Sequence, residues 1–101
     1  MNNPDNLYRQ AIEKWGIDSQ LDMAIEECSE VIQAIIHFRR RRCGLDKVIE
    51  EIADVSLCVE QLKQLNPEAW EHFRKIKLDR LESLLNPDIP PHSDDDEKEL
   101  A

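Results

Sequence analysis

Apolar residues recur every three or four positions along most of the chain, which is the spacing of a helix with one buried face. The longest of these patterns is predicted to begin with a cap from Asp18 or Ser19 and to continue to about Arg42. Gly44 follows, and glycine is common just after the end of a helix. The pattern therefore predicts one long amphipathic helix in the first half of the chain.

A second strong pattern starts at Asp46, shortly after that glycine, and ends at Asn66-Pro67, because the residue before a proline disfavours helical backbone. Few residues separate this helix from the long one. Helices joined by so short a connection pack as antiparallel neighbours. We therefore expect a central antiparallel hairpin.

Two further helices flank this hairpin in the sequence. The first is predicted just after Pro4 and Asp5, with Gly16 as its stop, and the last follows Pro67 and continues up to Asn86-Pro87. The chain has 101 residues with only 2 Gly and 5% aromatic residues, a composition that favours helices over strands. We expect an all-α, four-helix domain over residues 1–86, followed by a disordered acidic tail over residues 87–101.

The formal net charge is -9, and part of it lies in that tail. Proteins that bind nucleic acid normally carry a basic surface, so the charge argues against a DNA or RNA partner. An acidic domain can still bind a polyphosphate if a metal ion offsets its carboxylates. The chain shows neither a signal-peptide pattern nor an apolar run of about 20 residues, so we expect a cytoplasmic protein without membrane contact.

Three cysteines occur without the close pairing of a zinc site and are expected to be reduced thiols. Of these, Cys28 and Cys58 are expected to fill apolar gaps in the core. Trp15, at helical spacing from other apolar residues, is also expected in the core, with stacking on a base as the alternative.

One seven-residue phrase is written twice, first over residues 25–31 and again over residues 49–55, with the same or a chemically similar residue at most positions. Each copy carries two acids three residues apart, and residues at this spacing share one face of a helix. Acids that converge between two helices offer the oxygen ligands that hard divalent cations prefer. The four candidate ligands are Glu27, Glu30, Glu51 and Asp54.

Helical spacing puts each acid pair beside an apolar arc, which is predicted to be the packed seam. Glu26 and Glu50 fall on the opposite flank and are expected to be surface charges. A single acid pair is commonly a solvated helix face. Two pairs at matched angles favour a metal site. The arcs are centred on Leu21, Cys28 and Ile32 in one helix and on Val48, Ile52 and Val59 in the other.

The order of these motifs, E-E-x-x-E over residues 26–30 and E-x-x-D over residues 51–54, resembles that of the MazG-like all-α nucleoside triphosphate pyrophosphohydrolases. The similarity extends from about Trp15 to Leu85. It implies a Mg²⁺-dependent hydrolysis, with Mn²⁺ as a possible substitute, of a nucleoside triphosphate to the monophosphate and pyrophosphate. It also implies that the four acids named above are both the metal ligands and the catalytic residues. Housecleaning of non-standard nucleotides is the expected role.

The resemblance further implies basic side chains that bind the substrate phosphates. Lys47 is one candidate, and an ordinary salt bridge with Glu51 four residues later is the alternative. Lys77 and Arg80 share a face of the last helix, and a solvated basic face is the competing interpretation. The four arginines of residues 39–42 are instead expected to favour a helix C-terminus electrostatically.

Small members of this family commonly assemble from the hairpins of several subunits. The resemblance therefore implies a homo-oligomer, a dimer or a tetramer, that completes the helical core. Two alternatives remain open: a helical interaction or regulatory module that keeps the fold without turnover, and a pyrophosphatase restricted to dUTP or dCTP.

Overall fold

The computed structural model describes residues 3–88, and these residues form helices and turns without any strand. The prediction of an all-α fold is therefore confirmed. The acidic tail predicted for residues 87–101 lies outside the described residues from residue 89 onwards. The elements are α1 (Pro4–Trp15), α2 (Ile17–Arg39), α3 (Leu45–Leu62), a short 3₁₀ helix (Lys63–Leu65) and α4 (Pro67–Leu85).

The chain forms two compact units. The first ends at Leu65 and contains α1, α2, α3 and the 3₁₀ helix. In it α2 and α3 pack against each other as the predicted hairpin, and α1 packs on both. The second unit begins at Asn66 and contains α4.

Asparagine side chains begin two of the helices. Asn3 accepts a hydrogen bond from the backbone N–H of Asp5 at 3.0 Å, and Asn66 accepts one from Ala69 at 3.1 Å. In both helices a proline follows the asparagine, where its missing N–H costs nothing. These local signals are why the starts of α1 and α4 can be predicted.

The predicted cap of α2 is wrong, because neither Asp18 nor Ser19 precedes the helix. Gly16 does, with a φ of 85°, a conformation that glycine adopts without steric cost. The chain can therefore pass from α1 to α2 through a single residue. Asp18 lies in the first turn, where its charge favours the N-terminal end of the helix dipole.

Helix α2 also ends at Arg39 rather than at the predicted Arg42. The N–H of Arg41 donates to the carbonyl of Phe38 at 2.9 Å, and that of Arg42 donates to the carbonyl of His37 at 2.8 Å. Arg41 has a φ of 59° between these two bonds. The bonds and the left-handed residue together form a Schellman motif, which closes the helix before Gly44 is reached.

The face of α2 that is buried is not the predicted one. Cys28 is exposed, and Ile32 at the centre of the predicted arc is 59% exposed. Gln20 and Ala34 are buried instead, on the flank that also carries the acids. Short side chains such as alanine let neighbouring helices approach closely, and the larger isoleucines lie outside the contact.

In helix α3 the buried face is likewise turned away from the predicted one, towards the acids. Val48 is buried as expected, but Ile52 is 46% exposed and Glu51 is 7% exposed. Cys58 is buried, which confirms its predicted core position, whereas the same prediction for Cys28 is wrong. The acids thus lie nearer the packed seam than the pattern of apolar residues predicts.

Candidate metal centre

The four predicted acids converge in the hairpin. Each offers one carboxylate oxygen, and these oxygens all lie within 4.8 Å of one another. Oxygens around one Mg²⁺ ion, each about 2.1 Å from it, are about 3.0 Å apart as neighbours and about 4.2 Å apart across the ion. The spacing is thus close to that of a divalent cation site. The acids are Glu27 and Glu30 from α2, and Glu51 and Asp54 from α3.

Burial differs across the cluster. Glu51 is 7% exposed, Glu27 and Glu30 are half-buried, and Asp54 is exposed. The site therefore has a closed end at Glu51 and an open end at Asp54. A ligand could approach from the open end while Glu51 and the half-buried acids hold a cation from the other.

Two carboxylate oxygens of the cluster are buried without a hydrogen-bond partner among the described residues. They are Oε2 of Glu27 and Oε2 of Glu51. A buried polar atom without a partner is costly, and a buried anionic oxygen more so. A divalent cation would give both oxygens a partner, so the donor set fits such an ion.

The neighbouring acids raise the proton affinity of one member of the cluster, Glu30. The neighbouring charge of Glu27 raises the pKa of the Glu30 carboxyl above its ordinary value. The repulsion arises because like charges at short range favour the neutral form. A cation at the site would remove that repulsion.

Lys47 lies one turn before Glu51 on α3. Its Nζ is 2.9 Å from Oε1 of Glu51 and 3.6 Å from Oε1 of Glu50. The hydrogen bond from Lys47 lowers the pKa of Glu51, and the same bond raises the pKa of Lys47. The salt bridge expected as the alternative for Lys47 is thus present, and its phosphate-binding role stays a prediction.

The other charged residues that the sequence analysis singled out are all exposed. Glu26 and Glu50 are exposed, as predicted for surface charges. Lys77 and Arg80 are exposed residues of α4, in the second compact unit. Their contact with substrate phosphates stays a prediction.

A cavity of about 510 Å³ adjoins the acid cluster and shares Glu27 and Asp54 with it. The sequence does not single out one of its lining residues, Gln20, which is only 5% exposed. A signal was available, because Gln20 precedes Glu27 by two helical turns and so lies on the same face of α2. Trp15 also lines the cavity and is 57% exposed, so its predicted core position is wrong.

Comparison of the chain with protein-family models, with curated proteins and with solved structures finds no match in any of the three. Between residues 3 and 88, none of the helices combines the length and the apolar character that crossing a membrane requires.

Proposed function

We propose that the protein is a MazG-like nucleoside triphosphate pyrophosphohydrolase that requires Mg²⁺ and releases a monophosphate and pyrophosphate. The observation that carries the proposal is the convergence of four carboxylates from two helices, with buried oxygens of Glu27 and Glu51 that lack a partner. An ordinary solvated acidic face would leave these oxygens in water.

The chemistry of the donor set supports a hard cation. All four candidate ligands are carboxylates, which suit Mg²⁺ or Mn²⁺ better than the nitrogen and sulfur ligands that zinc commonly takes. A bound divalent ion would neutralise phosphate charge and make a coordinated water more acidic. Glu27, Glu30, Glu51 and Asp54 are the residues that would hold it.

The four acids are proposed to have different roles in the reaction. The closed end, at Glu51, fixes the position of the charge, and the exposed Asp54 leaves room for a phosphate group to approach. A carboxylate that is not engaged by the cation orients the attacking water or accepts its proton.

Basic side chains are needed because the substrate brings several negative charges to an acidic site. Lys47 already lies against Glu51, and neutralisation of that carboxylate by a cation would free its ammonium group for a phosphate. Lys77 and Arg80 of α4 are proposed as further phosphate ligands.

The protein is also proposed to act as a homo-oligomer. Ile25 is 70% exposed, Ile32 is 59% exposed and Ile49 is 56% exposed. Such large apolar side chains on the outward faces of a hairpin are typical of an interface between helices. A second copy of the chain would bury them in a dimer or tetramer.

The activity is tested with purified full-length protein, Mg²⁺ and a panel of canonical and modified nucleoside triphosphates. The expected products are the monophosphate and pyrophosphate, and Glu51→Gln is expected to lower the rate at least about a hundredfold because it removes a ligand charge. Glu50→Gln is the matched control, since Glu50 also contacts Lys47 but is exposed. This control is expected to keep most of the activity.

Release of diphosphate and inorganic phosphate would contradict the proposed reaction. Failure to cleave any triphosphate, together with equal melting temperatures with and without Mg²⁺ and a nonhydrolysable triphosphate, would favour the inactive helical module instead. Cleavage of a single pyrimidine substrate would favour the restricted pyrophosphatase.

A further inference from the structure

The cavity beside the acids contains a polar side chain that the proposed chemistry does not use. Gln20 is 5% exposed and lines the cavity. Within residues 3–88 its side-chain amide takes part in no hydrogen bond. The amide nitrogen and oxygen of Gln20 are not among the buried atoms that lack a partner, so they stay accessible from the cavity. An accessible amide held in a cavity wall can form hydrogen bonds with a bound ligand.

The cavity has the size and wall chemistry of a small-molecule site. Its volume of about 510 Å³ lies within the range of pockets that bind small ligands. Met23, Leu57 and Cys58 give it apolar walls, and the exposed Trp15 offers an aromatic surface on which a planar ring can stack. Gln61 adds a second amide.

The charged groups that line the cavity are all hydrogen-bond acceptors. Asp22, Glu26, Glu27 and Asp54 contribute carboxylates, which only accept hydrogen bonds when ionised. No lysine, arginine or histidine among the described residues lines the cavity. Phosphate groups are therefore repelled from it, whereas an uncharged group with N–H donors is attracted.

The cavity and the acid cluster share Glu27 and Asp54, so one ligand can occupy both. With its phosphates at the cluster, a nucleotide would extend its sugar and base into the cavity. We infer that this cavity binds the base of the nucleotide and selects bases with an exocyclic amino group, through the Gln20 amide and the surrounding carboxylates. The inference depends on the proposed function for its ligand class.

The inference is tested with nucleosides, which lack phosphate and need no metal or turnover. Adenosine is compared with inosine, and cytidine with uridine, because each pair exchanges an amino group for an oxo group. Binding to the full-length protein is followed by NMR on the side-chain amide of Gln20 and the indole N–H of Trp15. At least one amino nucleoside is expected to shift both signals and to bind about tenfold more tightly than its oxo counterpart.

Substitution separates a role in base recognition from a structural one. Gln20→Met keeps the length of the side chain but removes its hydrogen-bonding groups, and it is expected to abolish the preference for the amino nucleoside. Gln33→Met is the matched control on the exposed part of α2, and this variant is expected to retain the preference for the amino nucleoside. If Gln20→Met does not fold, Gln61→Met replaces it and is expected to weaken the preference.

Equal affinity for amino and oxo nucleosides would overturn the inference, as would the absence of binding up to the solubility of the nucleosides. Retention of the preference by both cavity variants would overturn it as well. The two proposals can fail separately. Nucleoside discrimination without any triphosphate hydrolysis supports the cavity assignment alone, whereas hydrolysis with equal affinity for amino and oxo nucleosides leaves only the pyrophosphohydrolase.

Discussion

Glu51 combines burial, an ion pair and an oxygen without a partner. Its Oε1 atom is bonded to Lys47, whereas its Oε2 atom has no hydrogen-bond partner among the described residues. The hydrogen bond from Lys47 keeps the pKa of Glu51 below the ordinary value of 4.5. Lys47 therefore offsets part of the repulsion among the acids when no cation is present.

Replacement of Lys47 by methionine is expected to make stability depend differently on pH. Because the pKa of Glu51 is lowered in the folded state, the ion pair stabilises the fold above pH 4.5, and this contribution is lost as the pH falls through the folded-state pKa. Lys47→Met should therefore reduce stability at pH 7 and change it little near pH 2. Urea unfolding at both pH values measures the difference.

The control for that experiment is Lys77→Met, which removes an equivalent charge from α4, outside the compact unit that holds the acids. It is expected to change stability by a similar small amount at both pH values. An equal loss of stability at pH 2 and pH 7 in Lys47→Met would show that the ion pair with Glu51 does not account for the loss.

The helices themselves follow from signals that act over a few residues. Asparagine followed by proline begins α1 and α4, and the spacing of apolar residues predicts α2 and α3 to within a few positions. The end of α2 is the exception, because Arg41 adopts a left-handed conformation that the sequence does not predict for an arginine. The helix stops there because two backbone hydrogen bonds close around that residue.

Arg41→Gly is expected to stabilise the protein by about 0.5–1 kcal/mol, because glycine adopts a positive φ without the steric cost that arginine bears. Arg40→Gly is the matched control: it removes the same charge at a φ of -89° and should lower stability instead. Thermal or urea unfolding of both variants measures the effect. Equal changes in the two variants would mean that charge, and not backbone conformation, dominates at this turn.

The first compact unit leaves much of its apolar surface in solvent. The exposed isoleucines of α2 and α3 include Ile25, Ile32, Ile49 and Ile52, each at least 46% exposed. By helical spacing they lie on the flanks turned away from the acids. A small domain with so little fully buried side-chain area gains stability by association.

The protein is accordingly expected to be a dimer or tetramer in sedimentation equilibrium at micromolar concentration. Ile32→Glu should dissociate it by placing a charge in the apolar interface. Leu7→Glu is the control, since Leu7 of α1 is 50% exposed but lies outside the hairpin. A wild-type protein that sediments as a monomer would contradict the proposed assembly.

Local sequence is sufficient for the helices, their approximate ends and the identity of the four acids, because caps, prolines and i,i+3 spacing act within one or two turns. Which flank of each helix faces its neighbour is decided only by packing. The small Ala34 enters the contact in place of Ile32, which rotates the acids towards the seam and brings Gln20 into a cavity beside them. The acid cluster could thus be predicted from residue spacing, whereas its buried oxygens and adjoining cavity depend on the tertiary contact between α2 and α3.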